Sequence, residues 1–219
     1  MSFTRFTSIL VVAALGLDGC ATSSNDHGMP QPSSVVQQAR SASGACVARD
    51  TQSRRNQFKA KLADLNSRYS AVDHALVFDA KDWTNPAEIL AMRERIRTLR
   101  SLIDERDELL SRYFDGLNAD VESCGAGVQT VASVKNEIDT ERRHDKPRYI
   151  ALSTAQRESM AVLAAFMDFV EAHPDISMDP FGHPHFVDDA ESRELAEIEA
   201  RLQRAADKEI QAAKTVAGT

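Results

Sequence analysis

The chain has 219 residues, of which 42% are apolar and 27% charged, with a formal net charge of −7. This composition can bury a core and argues against global disorder. The acidic balance argues against a nucleic-acid interface, which would need a basic patch.

At the amino terminus Arg5 supplies a positive charge and Ile9 to Leu17 form a short apolar run, ending in Leu17-Asp18-Gly19-Cys20. A bilayer-spanning helix needs about 20 apolar residues, and this run is about half that length. The segment resembles a bacterial lipoprotein signal peptide, although Asp18 stands where that family places a small or apolar residue. The resemblance implies cleavage after residue 19, lipidation of Cys20 and a periplasmic domain held to a membrane by lipid alone. Ala21, where an Asp would favour inner-membrane retention, points by the same resemblance to the outer membrane. An ordinary secretory signal is the alternative. Residues 20–44 are rich in Ser, Gln, Pro and Gly and read as a lipidated flexible tether, leaving 45–219 as the folded domain.

From Cys46 the pattern is helical. Val47, Thr51, Arg54, Phe58, Leu62, Leu65, Tyr69, Val72 and Leu76 step by three or four residues and so share one helix face. Residues 79–86 break the pattern near residue 80. Asn85-Pro86-Ala87-Glu88 then reads as a new helix start, with a capping Asn and Pro at the first helical position. The second helix carries Ile89, Met92, Ile96, Leu99, Ile103, Leu110, Phe114, Leu117 and Val121. Leu102, Leu109 and Tyr113 widen that stripe, which is either satisfied within the bundle or leaves surface for a homodimer of coiled-coil type. Its other face carries Arg100/Asp104 and Glu108/Arg112, read as solvated pairs. Gly125-Ala126-Gly127 ends it.

Cys46 opens the first of these helices and Cys124 closes the second. In an antiparallel hairpin with arms of roughly 50 Å the two meet at the open end. In an exported chain they are expected to form a disulfide. Two free buried thiols are the alternative. A zinc pair is disfavoured, because neither cysteine lies in a CxxC or has a histidine at ligand spacing.

Val128, Val131, Val134 and Ile138 mark a third helix ending near His144, before Pro147. Ser153-Thr154-Ala155-Gln156 reads as the cap of a fourth, carrying Met160, Leu163, Phe166, Met167, Phe169 and Val170. Residues 174–187 hold three prolines and a glycine and read as an ordered loop or mobile flap. Asp188-Asp189-Ala190-Glu191 opens a last helix with Leu195, Ile198, Leu202, Ala206, Ile210 and Ala213 on its stripe. The expected fold is all-α, a helical bundle of four or five helices built on one long hairpin.

The chain contains no G-x-S-x-G, S-x-x-K, P-loop or HExxH pattern, and the reading assigns no catalytic residue, no cofactor and no metal ligand. Gly182-His183-Pro184-His185, with His173, Asp179 and Asp188 nearby in sequence, is the cluster closest to a metal site, and solvated histidines are the plainer explanation. Trp83, the single tryptophan, sits between the two long helices beside Asp79, Asp82 and Asn85. It either plugs the hairpin end or anchors a partner. The segment containing Asp179, Phe181 and His183, with Met178 and Phe186, is the second candidate contact surface, or else a cover for the bundle end. Export, lipid, small size and a rigid acidic helical fold resemble, in overall design, the helical immunity lipoproteins of interbacterial secretion systems. That resemblance implies a periplasmic protein partner, such as a secreted toxin. A structural adaptor of an envelope complex and a metal-binding periplasmic protein are the alternatives.

Overall fold

A computed structural model of the chain describes residues 34–76, 83–125, 128–178, 184–186 and 188–218. Four helices account for most of them: α1 (Ser34–Asp73), α2 (Pro86–Ser123), α3 (Val128–Ala172) and α4 (Asp189–Ala217). A two-residue ribbon precedes α4, with β1 (Ser177–Met178) antiparallel to β2 (Pro184–His185) and Ser177 opposite His185. The chain is an all-α bundle.

The start of α2 follows its sequence. Asn85 Oδ1 accepts the Ala87 amide at 3.1 Å, and Pro86, which has no N–H to leave unpaired, is the first helical residue. Gly125 takes φ 57° at its end, a left-handed conformation that suits glycine. Asp188 caps α4 by accepting the Ala190 amide at 2.8 Å, and Gly218 closes it at φ 75°.

Two boundaries differ from expectation. Helix α1 begins at Ser34, so residues 34–44, read as tether, are helical. Gln, Ala and Arg are good helix formers, and the one glycine among these residues, Gly44, costs only ~1 kcal/mol. The expected third and fourth helices are a single helix, α3, running through Pro147. Proline removes an amide and frees the carbonyl four residues back. Pro147 and Arg143 are both exposed, so water can satisfy that carbonyl.

The described residues divide into two compact units, to both of which α1, α2 and α3 contribute. In the unit formed by 34–62 and 108–147, Cys46 is bonded to Cys124 with a Cα–Cα distance of 5.8 Å. Arg54 grips Asp120 with two hydrogen bonds of 2.5 and 2.7 Å, and Phe58 stacks on Tyr113 at 4.2 Å. Positions on α1 rise as their α2 partners fall, so the two segments run antiparallel. Gly116 makes room for this pairing, since a Cβ there would come within 2.0 Å of the Arg54 guanidinium. Glu141 of α3 ties in by accepting from Arg55 at 2.9 Å and from the Tyr113 hydroxyl at 2.7 Å.

In the unit formed by 63–107 and 148–218, Leu99, Ile103, Met92, Met167 and Val170 are fully buried, and Leu195, Ile198 and Ala205 bring α4 into the same core. Charged pairs dress its surface, including Arg93 with Asp168 and Glu171 and Lys208 with Glu158. The solvated pairs expected on α2 are half right. Arg112 does pair with Glu108, but Arg100 donates to the Met160 carbonyl and Asp104 pairs with Arg157. Of the residues that widen the α2 stripe, Leu102 and Tyr113 are buried within the chain and Leu109 is half-buried.

Candidate functional site

Among the residues singled out in the sequence, Cys46 and Cys124 are brought together as a disulfide. Trp83 is 4% exposed, and its ring meets Phe166 edge-on at 5.2 Å. It therefore serves as a plug, and as a surface anchor it is corrected: the indole has traded water for the core. Leu90, in the second turn of α2, is 63% exposed instead. It lies off the stripe that carries Ile89 and Met92, which is the sequence sign that it faces outward. Cys20, Asp82, Asp179, Phe181 and His183 lie outside the described residues. Of the other groups near the candidate metal cluster, Asp188 is occupied as a helix cap. His173 donates from Nδ1 to the Phe169 carbonyl at 2.8 Å, with its Nε2 3.8 Å from Glu191.

The most unusual chemistry is one that the apolar stripes did not reveal. In the unit formed by 63–107 and 148–218, polar side chains of all four helices meet inside the core. Arg106 of α2 is 6% exposed and donates through Nη2 to Ser153 Oγ at 2.9 Å and Gln156 Oε1 at 2.5 Å. Ser153, with no exposure at all, donates its hydroxyl hydrogen bond to Asp107 Oδ1 at 2.5 Å, and Asp107 also accepts from Arg157 at 2.7 Å. Gln156 Nε2 and Ser159 Oγ donate to the two oxygens of Glu209 of α4, at 3.2 and 2.9 Å. From α1 come Tyr69 and Asp73, buried at 6% and 2% exposure. Ser153 and Gln156, whose spacing resembled a helix cap, are thus interior members of this network, which is why no helix begins there.

The network is not closed. Asp73 Oδ2 and Arg106 Nε are buried without a hydrogen-bond partner, and the buried Tyr69 hydroxyl faces Glu209 outside good hydrogen-bond geometry. Burial, reinforced by the charge of Glu209, raises the Asp73 carboxyl from 3.8 to about 6, with His74 opposing. Burial also raises Glu209, against the opposing hydrogen bonds of Ser159 and Gln156 and the charge of Arg106. Desolvation lowers Arg106 and raises Tyr69. The arrangement can therefore hold a proton on an interior carboxylate, and its donors and acceptors fix which faces of the four helices meet.

A pH dependence follows. Asp73 binds its proton more tightly in the folded chain than in the unfolded one, so folding is favoured at low pH. That advantage is lost as pH rises from about 4 through about 6, amounting to at most about 3 kcal/mol. Melting temperature is expected to be higher at pH 5 than at pH 7.5, and Asp73→Asn is expected to remove most of the difference. An unchanged pH profile in Asp73→Asn would place the effect on other groups.

Compared with known proteins, the chain matches no family model, no curated protein and no solved structure.

Proposed function

We propose that this chain is a lipid-anchored protein of the bacterial envelope that works by binding another protein in the periplasm. Its most specific reading is an immunity protein that neutralises a toxin acting there. The observation that carries the reading is the Cys46–Cys124 disulfide, which joins α1 to α2 across 78 residues in a chain whose first twenty residues resemble a lipoprotein signal. Disulfides persist in exported proteins and are rare in the cytosol. The disulfide ties α1 to α2 in one unit and the polar network fixes helix register in the other, and preorganised surfaces lose little conformational entropy on binding.

Palmitate labelling in cells is expected to require Cys20. Label persisting in Cys20→Ser would end the lipoprotein reading. For the partner, the exposed Leu90 and the 179–183 segment are the contacts to probe. Leu90→Glu is expected to weaken partner capture with helix content unchanged, by about tenfold or more if the leucine is a hot spot. Full binding by this variant and by a Phe181→Ala/His183→Ala variant would move the interface to other helix faces.

An adaptor role in an envelope complex is the second reading, favoured by continuous helices of 38 to 45 residues in α1, α2 and α3. Gene neighbourhood separates the two. A toxin gene beside this one favours immunity, and secretion or cell-wall genes favour the adaptor.

A further inference from the structure

The sulfurs of Cys46 and Cys124 share a neighbour that a structural disulfide does not require. Asp50 stands one turn after Cys46 on α1 and directs Oδ2 to within 3.7 Å of each sulfur. A disulfide has no S–H to donate, so these contacts are not hydrogen bonds. A carboxylate beside electron-rich sulfur gains nothing from the oxidised pair. Its other oxygen, Oδ1, is held by Arg49 Nε at 2.8 Å, which orients the carboxylate with Oδ2 toward the sulfurs.

We propose that, once reduced, Cys46, Cys124 and Asp50 form a binding site for a thiophilic divalent cation of the zinc type. The three ligand atoms already lie within 4.8 Å of one another, and all three residues are half-buried, open to a reductant and to an entering ion. Cys46 and Asp50 project from one helix face at i and i+4, a spacing that places two ligands on one ion. Cys124 comes from the end of α2, just before Gly125 turns the chain. Zinc–sulfur bonds of about 2.3 Å in a tetrahedral site place the two sulfurs roughly 3.8 Å apart. Side-chain rotation alone supplies that separation with the Cα atoms 5.8 Å apart. Two thiolates select zinc over magnesium or calcium, and three protein ligands leave the fourth position to water.

The chemistry balances with a dithiol reductant. Its two thiols give two electrons and two protons to the Cys46–Cys124 bond, leaving two cysteine thiols and a disulfide in the reductant. Zinc then displaces two protons as both thiolates coordinate it. Reoxidation by a disulfide reverses the sequence and expels the ion, so metal occupancy reports the redox state.

The test is equilibrium binding of zinc to the oxidised chain and to the chain reduced by a phosphine, with cobalt as a spectroscopic substitute. The reduced chain is expected to bind one zinc, and its cobalt form to show the thiolate charge-transfer and tetrahedral d–d bands. The oxidised chain is expected to bind none at this site. Asp50→Asn, which leaves both cysteines in place, is expected to weaken binding tenfold or more. Reduced chain that binds no better than oxidised chain overturns the proposal, as does Asp50→Asn binding as tightly as the parent. Should reduction lower helix content, zinc must restore it, and failure to do so overturns the proposal as well. None of these readouts depends on the protein partner, so this inference and the proposed function can fail separately.

Discussion

Replacing Arg106 with methionine is expected to cost about 3–5 kcal/mol of stability, a large share of the 5–15 kcal/mol that holds a typical domain together. The guanidinium is the cation of a buried cluster that also contains Asp73 and Glu209. It donates to Ser153 and Gln156 and opposes the charge of Glu209. Methionine fills much of the volume, so the loss reports electrostatics and hydrogen bonding more than a cavity. Without the cation, Ser153 and Gln156 lose a donor, and Glu209 faces Asp73 without the opposing charge of Arg106. Adding Asp73→Asn to Arg106→Met is expected to recover part of the loss, because one of the stranded charges goes with it. Urea denaturation measures both. A single variant within about 1 kcal/mol of the parent would mean that water reaches the guanidinium in solution.

Removing the disulfide by Cys46→Ser/Cys124→Ser is expected to cost about 4.5 kcal/mol. The bond closes a loop across a sequence separation of 78, and loop-closure entropy for that length gives this figure. The loss is expected at equilibrium in urea, with a larger m-value, because the untethered denatured chain exposes more surface. In the unreduced parent protein neither Cys46 nor Cys124 is expected to take up an alkylating reagent. Alkylation of both in native protein would contradict the pairing and the α1–α2 register with it.

The fold was legible wherever apolar residues did the work. The stripe from Ile89 to Val121 is the buried face of α2, that of α1 is buried from Val47 to Tyr69 apart from the half-buried Arg54, with Val72 half-buried and Leu76 past the helix end, and the cysteine spacing placed the cross-link. What failed were signals whose meaning depends on burial. Pro147 reads as a helix stop, but on a wetted face its freed carbonyl costs little. Ser153 and Gln156 read as a cap, yet inside a core their polar atoms serve Arg106, Asp107 and Glu209. Trp83 reads first as a plug and second as an anchor, and its contact with Phe166 decides for the plug.

The polar network left a trace nonetheless. Between Ile103 and Leu110 the α2 stripe steps by seven, and Arg106 occupies the vacant position between them. Asp73 lies four residues after Tyr69, and Glu209 lies four after Ala205 and four before Ala213, all three of those neighbours being buried. A charged residue at a position that periodicity assigns to the core is a candidate for a buried network. A search for solvated pairs passes over it, because such a residue has no partner at i+4.

The most direct test of the central claim is survival of cells that export to the periplasm a toxin encoded beside this gene, with and without this chain. Survival is expected when the lipid-anchored, disulfide-bonded chain is present, with a direct complex between the two purified proteins. Death of cells that contain the folded, oxidised chain at high level, with no complex between the purified proteins, would contradict that claim.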